Sequence, residues 1–261
     1  MNSPHCSIFF HNYYGQHENW VRFFSEKLHT PFTLYYNIVA DSLYNLADDH
    51  RPADNDSADR GLTDRLQQAV SGPWLQKIVL RRSGNMGKDI GGKLVLLDAY
   101  MHEQTNSDYI IFLHDKKSPY KIQNQEWRDK LFQIIEPAFT EKAISAFNIN
   151  SGIGIIAGSH SIYNEYDHSS QSFVSNNRSQ LVRLRSEFNI NSTDYRYVAG
   201  TMFWARSAPL LDFFRAYPPL EIRKTLEKGN IMDENSGSNT HAWERLLSWL
   251  IFARGFTIKG L

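Results

Sequence analysis

Three clusters of side chains in this 261-residue chain combine residue types that do chemistry. Gly84-Asn85-Met86-Gly87-Lys88-Asp89-Ile90-Gly91-Gly92 places one cation and several permissive backbone positions at the head of a helical pattern. Free amide N–H groups at a helix start, with a lysine beside them, suit an anion or a ribose and diphosphate. Lys88 is followed by Asp89 rather than Ser or Thr, so the run is not a P-loop. Its glycine spacing and its distance from the first strand also exclude a Rossmann fingerprint. A bend whose glycines serve only chain reversal has the same composition, and both readings stand at this level.

The second cluster is Leu113-His114-Asp115-Lys116-Lys117-Ser118-Pro119. One imidazole, one carboxylate and two ammonium groups emerge from the end of an all-apolar run. Lys116 and Lys117 suit phosphate oxygens as point charges, and Asp115 offers oxygen to a hard divalent cation such as manganese or magnesium. A plain surface charge cluster is the alternative. The third cluster is His241, Glu244, Arg245 and Ser248, at i, i+3, i+4 and i+7 of a helix opposite a dense apolar stripe. Such a row is ordinarily the wet side of an amphipathic helix. Trp249 and Phe252 broaden the apolar surface, and a row narrowed onto a cleft would make Glu244 a candidate general base.

The elements that must position these groups follow from periodicity. Residues 7–10 read as a first strand, and Trp20, Phe23, Phe24 and Leu28 as a helix face. Residues 32–39, rich in aromatic and β-branched types, read as a second strand. The polar stretch 41–64 reads as a solvated loop without the order of an EF-hand. Residues 74–80 form a third strand leading into the glycine bend, and Leu94, Leu97, Tyr100 and Met101 the next helix. Residues 109–113 and 152–158 read as strands covered on both faces. Between them, Trp127, Leu131, Ile134 and Ile135 make a helix stopped by Pro137. Residues 159–195 are polar and aromatic with few aliphatics, the mark of a lid, binding loop or small lobe. Residues 197–206 read as one strand, Ser207 as the N-cap of the helix that follows, 227–240 as a loop, and a last helix starts near Thr240. Strands alternating with helices define an α/β protein with a mixed, mostly parallel sheet flanked by helices. Ligands of such sheets bind beyond the carboxyl ends of the strands, where the first two clusters fall.

Bulk composition narrows the partners. Lys+Arg and Asp+Glu both number 28, and this balance speaks against a broad cationic field and against a nucleic-acid partner. A single cysteine, Cys6, allows no internal disulfide and favours a reducing compartment. The start of the chain lacks the basic and long apolar regions of a leader, and no run approaches the ~18 apolar residues of a transmembrane helix. A cytoplasmic protein is expected, with contact at the inner face of the membrane left open.

The ordered set Asn85-x-Gly87-Lys88-Asp89-Ile90-Gly91, then Asp108-Tyr109-Ile110-Ile111-Phe112-Leu113-His114-x-Lys116-Lys117-Ser118, then Trp127-Arg128, resembles the rhamnan synthesis F family of polysaccharide glycosyltransferases. Ala199-Gly200-Thr201-Met202-Phe203-Trp204-Ala205-Arg206 and His241-Ala242-x-Glu244-Arg245 are similar to its later blocks. The resemblance implies a GT-A-like fold in a single domain, 1–261, with a nucleotide-sugar half at 1–158 and an acceptor-side half at 159–261. It implies transfer of a hexosyl or rhamnosyl group from a nucleotide-sugar to a glycan or lipid-linked glycan, as in O-antigen, capsule or rhamnan synthesis. Carried over, Asn85, Gly87, Lys88 and Asp89 lie near the donor nucleotide, and His114, Lys116 and Lys117 by its diphosphate. His241 joins the binding residues and Glu244 stands at the acceptor end; for an inverting enzyme Glu244 is the candidate base, with Asp233 and Glu234 in reserve. Met202, Phe203 and Trp204 offer a sugar platform or simply core packing.

Three departures from the family pattern bear on this. Lys88 stands where Arg is usual and cannot make a bidentate phosphate contact. Asp115 stands where Thr is usual, which opens the divalent-metal question. Glu234-Asn235-Ser236-Gly237-Ser238-Asn239-Thr240 replaces the expected acidic-Gly-Thr lead-in. A metal-dependent phosphoesterase built on Asp89, His114 and Asp115, and a module that binds nucleotide or glycan without turnover, are the competing readings.

Overall fold

The computed structural model describes residues 3–48, 55–70, 72–103, 105–115, 129–232 and 236–261. Its centre is a seven-stranded sheet in the order β11-β5-β10-β4-β1-β2-β3. In chain order the strands are β1 (Cys6–Asn12), β2 (Phe32–Val39), β3 (Leu75–Ser83), β4 (Tyr109–His114), β5 (Ile153–Ala157), β10 (Phe203–Arg206) and β11 (Thr257–Gly260). The others run in one direction, and β10 runs against its neighbours β4 and β5. The fold is α/β with a mostly parallel mixed sheet, as the alternation of elements requires.

Alternate side chains of each strand feed two cores, one per face. Phe9, Tyr35, Ile110 and Phe112 pack with the helices Lys88–His102, Ser207–Ala216 and Asn239–Phe252. Ile8, Phe10, Leu34, Tyr36, Ile111 and Leu113 pack with His17–Lys27, Asn55–Gln68 and Pro137–Ile149. Coverage on both faces is why these strands read as continuous apolar runs. Register then sets the functional edge: His11 at the end of β1 pairs with His114 of β4 and Asn37 of β2.

Several expectations are corrected. The stretch 41–64 is not one loop: helices Leu43–Asp48 and Asn55–Gln68 occupy much of it. Leu62 and Leu66, one turn apart, bury against β-strand side chains and anchor the second. The strand expected over 197–206 is broken into β9 (Arg196–Val198) and β10 by a bend at Gly200 (φ 76°) and Thr201 (φ 50°). Pro137 does end one helical segment but also opens the next, at the first position where proline is tolerated. Ser207 is the first helical residue, and its buried hydroxyl caps nothing. The stretch 159–195 forms a small lobe with β6 (Ile162–Asn164), the ribbon β7 (Tyr166–Asp167) and β8 (Ser172–Phe173), and the helix Arg178–Glu187. The lobe is closed by β6 pairing antiparallel with β9. Arg185 sits among its rings, 4.9 Å from the centre of Tyr195 and 5.6 Å from that of Trp249. Met202, Phe203 and Trp204 are buried, with the Trp204 indole donating to the Ile134 carbonyl at 2.8 Å, so core packing accounts for them.

Candidate active site

The glycine bend is a left-handed corner. Gly87 (φ 73°) and Lys88 (φ 51°) both adopt it, a conformation that glycine takes without steric cost and lysine does not. The corner is clamped from outside: the Gly87 N–H donates to the Glu227 carbonyl at 2.7 Å, and the Gly229 N–H to the Asn85 carbonyl at 2.8 Å. Asn85 receives further support, its N–H donating to Asp41 Oδ1 at 2.9 Å and its amide to Asn230 Oδ1 at 3.0 Å. The Glu227 carboxylate meanwhile accepts the Asn239 and Thr240 N–H groups at 2.7 and 3.0 Å, capping the last helix. Burial alone would raise that carboxyl, but these bonds and the one from the Thr240 hydroxyl hold it below its usual value.

Beneath the corner lies a buried charged floor. Lys93, fully buried, donates to Asp89 Oδ2 at 2.7 Å and contacts the Thr201 hydroxyl. Thr201 donates to the same Asp89 oxygen at 2.6 Å, and His114 Nδ1 lies 3.6 Å from it. Burial pushes the Asp89 carboxyl up, yet Lys93, His114 and the two hydrogen bonds outweigh it and keep the group well below the carboxylate range.

His11 packs beside this floor, and a Cβ on Gly92 would fall 1.8 Å from its Nδ1, so only glycine admits the ring there. Burial, with Lys93 and Arg223 adding to it and Asp89 opposing, lowers His11 to about 4. Its Nδ1 faces the Asn37 amide nitrogen at 3.0 Å, a contact suited to a neutral ring. The linkage is therefore destabilising in acid. The unfolded chain takes up this proton near pH 6.5 and the folded one near 4, so stability is full above 6.5 and falls as pH drops toward 4. The loss is on the order of 3 kcal/mol. Urea unfolding between pH 7 and 4 is expected to show this slope, and a His11→Asn variant to flatten it; an equal slope in both assigns it to other groups.

Asp115 is held inward. Its carboxylate accepts the Tyr13 N–H at 2.9 Å and the Tyr14 N–H at 2.6 Å, which fixes the loop after β1. Ser42 donates to the Tyr13 carbonyl at 2.5 Å, and the rings of Tyr13, Tyr14 and Tyr44 pack together with centroids 4.9–6.3 Å apart. Asp115 is thus a loop anchor. Among the described residues no group of three or more His, Cys, Asp or Glu is placed to hold a metal, so the expected metal role of Asp115 lacks co-ligands there. Asp89 Oδ2 is bonded by Lys93 and Thr201.

The last helix, Asn239–Phe252, presents its polar row inward. Ser238 caps it, its hydroxyl accepting the His241 N–H at 3.1 Å and lying 2.6 Å from His241 Nδ1. Glu244 Oε1 accepts the Gly200 N–H at 2.7 Å, and Oε2 accepts from Arg245 Nη1 at 2.6 Å. Ser248 accepts the Val198 N–H at 3.3 Å. The wet-face alternative fails because β9 and the small lobe cover this side.

A cleft of about 520 Å³ gathers Asn85, Lys88, Asp89, His114, Asp115, His241 and Glu244, within the range of roughly 300–1,000 Å³ for small-molecule sites. Gly87 shapes the corner but points toward Leu226 rather than into the space. Lys116, Lys117, Asp233 and Glu234 lie outside the described residues. His11, Tyr13, Tyr14 and Thr201 line the cleft and Lys93 supports its floor, none of them singled out from sequence. The available signals were a lysine four residues after Asp89 on the apolar stripe and a histidine ending β1 as His114 ends β4.

A cleft across the carboxyl ends of a mostly parallel sheet, with a helix start on its wall, is compatible with a GT-A-like nucleotide-sugar transferase fold. The sequence pattern of rhamnan synthesis protein F matches residues 57–256, and the chain belongs to that family. The family gives it a glycosyltransferase-type role in polysaccharide synthesis. No curated protein matches the sequence. Among the described residues, no helix is long and apolar enough to cross a membrane.

Proposed function

We propose that the protein transfers a hexosyl or rhamnosyl group from a nucleotide-sugar to a growing cell-surface polysaccharide of O-antigen, capsule or rhamnan type. The observation that carries this reading is one cleft lined by an anion-suited helix start with its cation, Lys88, and by the carboxylate of Glu244. In this reading the donor diphosphate rests on the helix start at Lys88, and the tyrosines of the β1 loop offer flat faces to the rest of the donor. The acceptor hydroxyl oxygen attacks the anomeric carbon, and its proton passes to Glu244. The bond from that carbon to the diphosphate breaks, its electron pair leaving on the phosphate oxygen. Charge on the leaving group falls to Lys88 and the helix amides, with Lys116 and Lys117 as further cations from outside the described residues. The acceptor is a glycan, free or lipid-linked, met in the cytoplasm or at the inner membrane face.

Incubation with a panel of nucleotide-sugars, with and without manganese or magnesium, tests the reading. Slow release of nucleoside diphosphate is expected from one or a few donors. Cleavage of simple phosphate esters instead would make the protein a phosphoesterase, and binding without products a non-catalytic module.

A further inference from the structure

Glu165 lies in the small lobe between β6 and β7, 80 residues before Arg245, and its side chain is only 3% exposed. A carboxylate so far from water is retained at a cost unless its neighbours hold it. Its Oε1 accepts the Ser175 N–H at 2.9 Å, and its Oε2 accepts from Arg245 Nε at 3.0 Å. The other end of the same guanidinium reaches Glu244 Oε2 at 2.6 Å and the His241 carbonyl at 3.0 Å. The guanidinium centre stands 4.5 Å from the centre of the Tyr197 ring. One planar cation is thus shared between a buried carboxylate and a cleft-lining one.

Sharing changes what the guanidinium can do. An arginine facing a single carboxylate closes on it with two parallel hydrogen bonds. Here Glu165 holds the guanidinium by Nε, and Glu244, whose Oε1 is turned to the Gly200 N–H, receives one bond from Nη1 on Oε2. Its Oε1 keeps the Gly200 N–H and its place on the cleft. We propose that Glu165 is a positioning residue, acting through Arg245 to hold Glu244 in a singly bonded geometry from which it can take a proton. The small lobe then orients the base of the last helix. This rests on Glu244 being the base in the function proposed above.

The test uses turnover of the nucleotide-sugar that the wild-type protein hydrolyses fastest. Glu165→Gln is expected to lower kcat by about ten- to a hundredfold, the penalty of a misplaced reacting group, while nucleoside diphosphate binding is unchanged. Placed in a Glu244→Asp background, where the shortened carboxylate has already left Arg245 and Gly200, the same change is expected to cost no more than about twofold. Arg245→Lys, which keeps the charge and loses the fork, is expected to behave alike and serves if Glu165→Gln does not fold. Equal losses in both backgrounds would mean that Glu165 merely supports the fold, and no loss in either would also overturn the proposal. A Glu244→Asp protein with undiminished turnover would instead refute the base assignment, and the positioning role with it.

Discussion

Glu244→Gln is expected to lose about 10²- to 10⁴-fold in turnover, the span over which a positioned general base acts, while binding nucleoside diphosphate as well as the parent. The substitution is isosteric. Its amide oxygen can still accept the Gly200 N–H that Glu244 Oε1 accepts at 2.7 Å, so the bend at Gly200 is kept. Arg245 retains Glu165 and the His241 carbonyl, so no buried charge is orphaned. What disappears is the capacity to receive a proton, together with the bond that Oε2 accepts from Arg245 Nη1, where the amide NH2 would stand. Rates of nucleoside diphosphate release and calorimetric binding, measured on the same preparation, separate the two effects. Turnover within a few-fold of the parent would move the base elsewhere, and Asp233→Asn and Glu234→Gln are the variants to examine next. Parallel loss of binding and turnover would instead mark Glu244 as part of the binding surface.

Lys93→Met is expected to cost about 2–3 kcal/mol of stability, because it removes the fully buried ammonium that bonds the Asp89 carboxylate, itself 23% exposed. Methionine matches the lysine stem in volume, so the loss reports charge rather than a cavity. Asp89 would keep Thr201 and His114 as neighbours but lose the ammonium at 2.7 Å. The sign with pH follows from the depressed carboxyl. A group lowered in the folded state stabilises above its unfolded value, and that contribution disappears as pH falls through the folded one. Parent and variant are therefore expected to differ most near neutrality and to converge below the ordinary carboxylate range. Denaturant melts at pH 7 and in acid measure this. A constant difference across pH would show that the pair is not the source of the loss.

What could be read without coordinates follows the range of the forces involved. The strands of the sheet centre are buried on both faces, so residues 109–113 of β4 appear in sequence as an unbroken apolar run and β2 as a stretch of aromatic and β-branched residues. Helix Asn55–Gln68 escaped notice because two leucines, Leu62 and Leu66, carry its buried face within a polar stretch. Strand β11 is four residues long, with Ile258 its buried side chain, too little for an alternation to register. The break at Gly200 and Thr201 was hidden inside an apolar run, since its causes are Glu244 and Asp89, 44 and 112 residues away. The cleft residues drawn from the family resemblance converge because strand ends share one edge. Glu165 was not legible as a site residue, for it is explained only by Arg245, 80 residues away, whereas Lys93 left a local signal in its place four residues after Asp89.

The kink between β9 and β10 has its amide committed to Glu244 and its hydroxyl to Asp89. Two neighbouring residues therefore tether opposite machinery, and neither tether can be slackened without dragging the other. In the function proposed above, a designer wishing to widen the choice of donor would find that choice coupled to the placement of Glu244. In that reading, variation in specificity has freer ground in the tyrosine-bearing loop after β1.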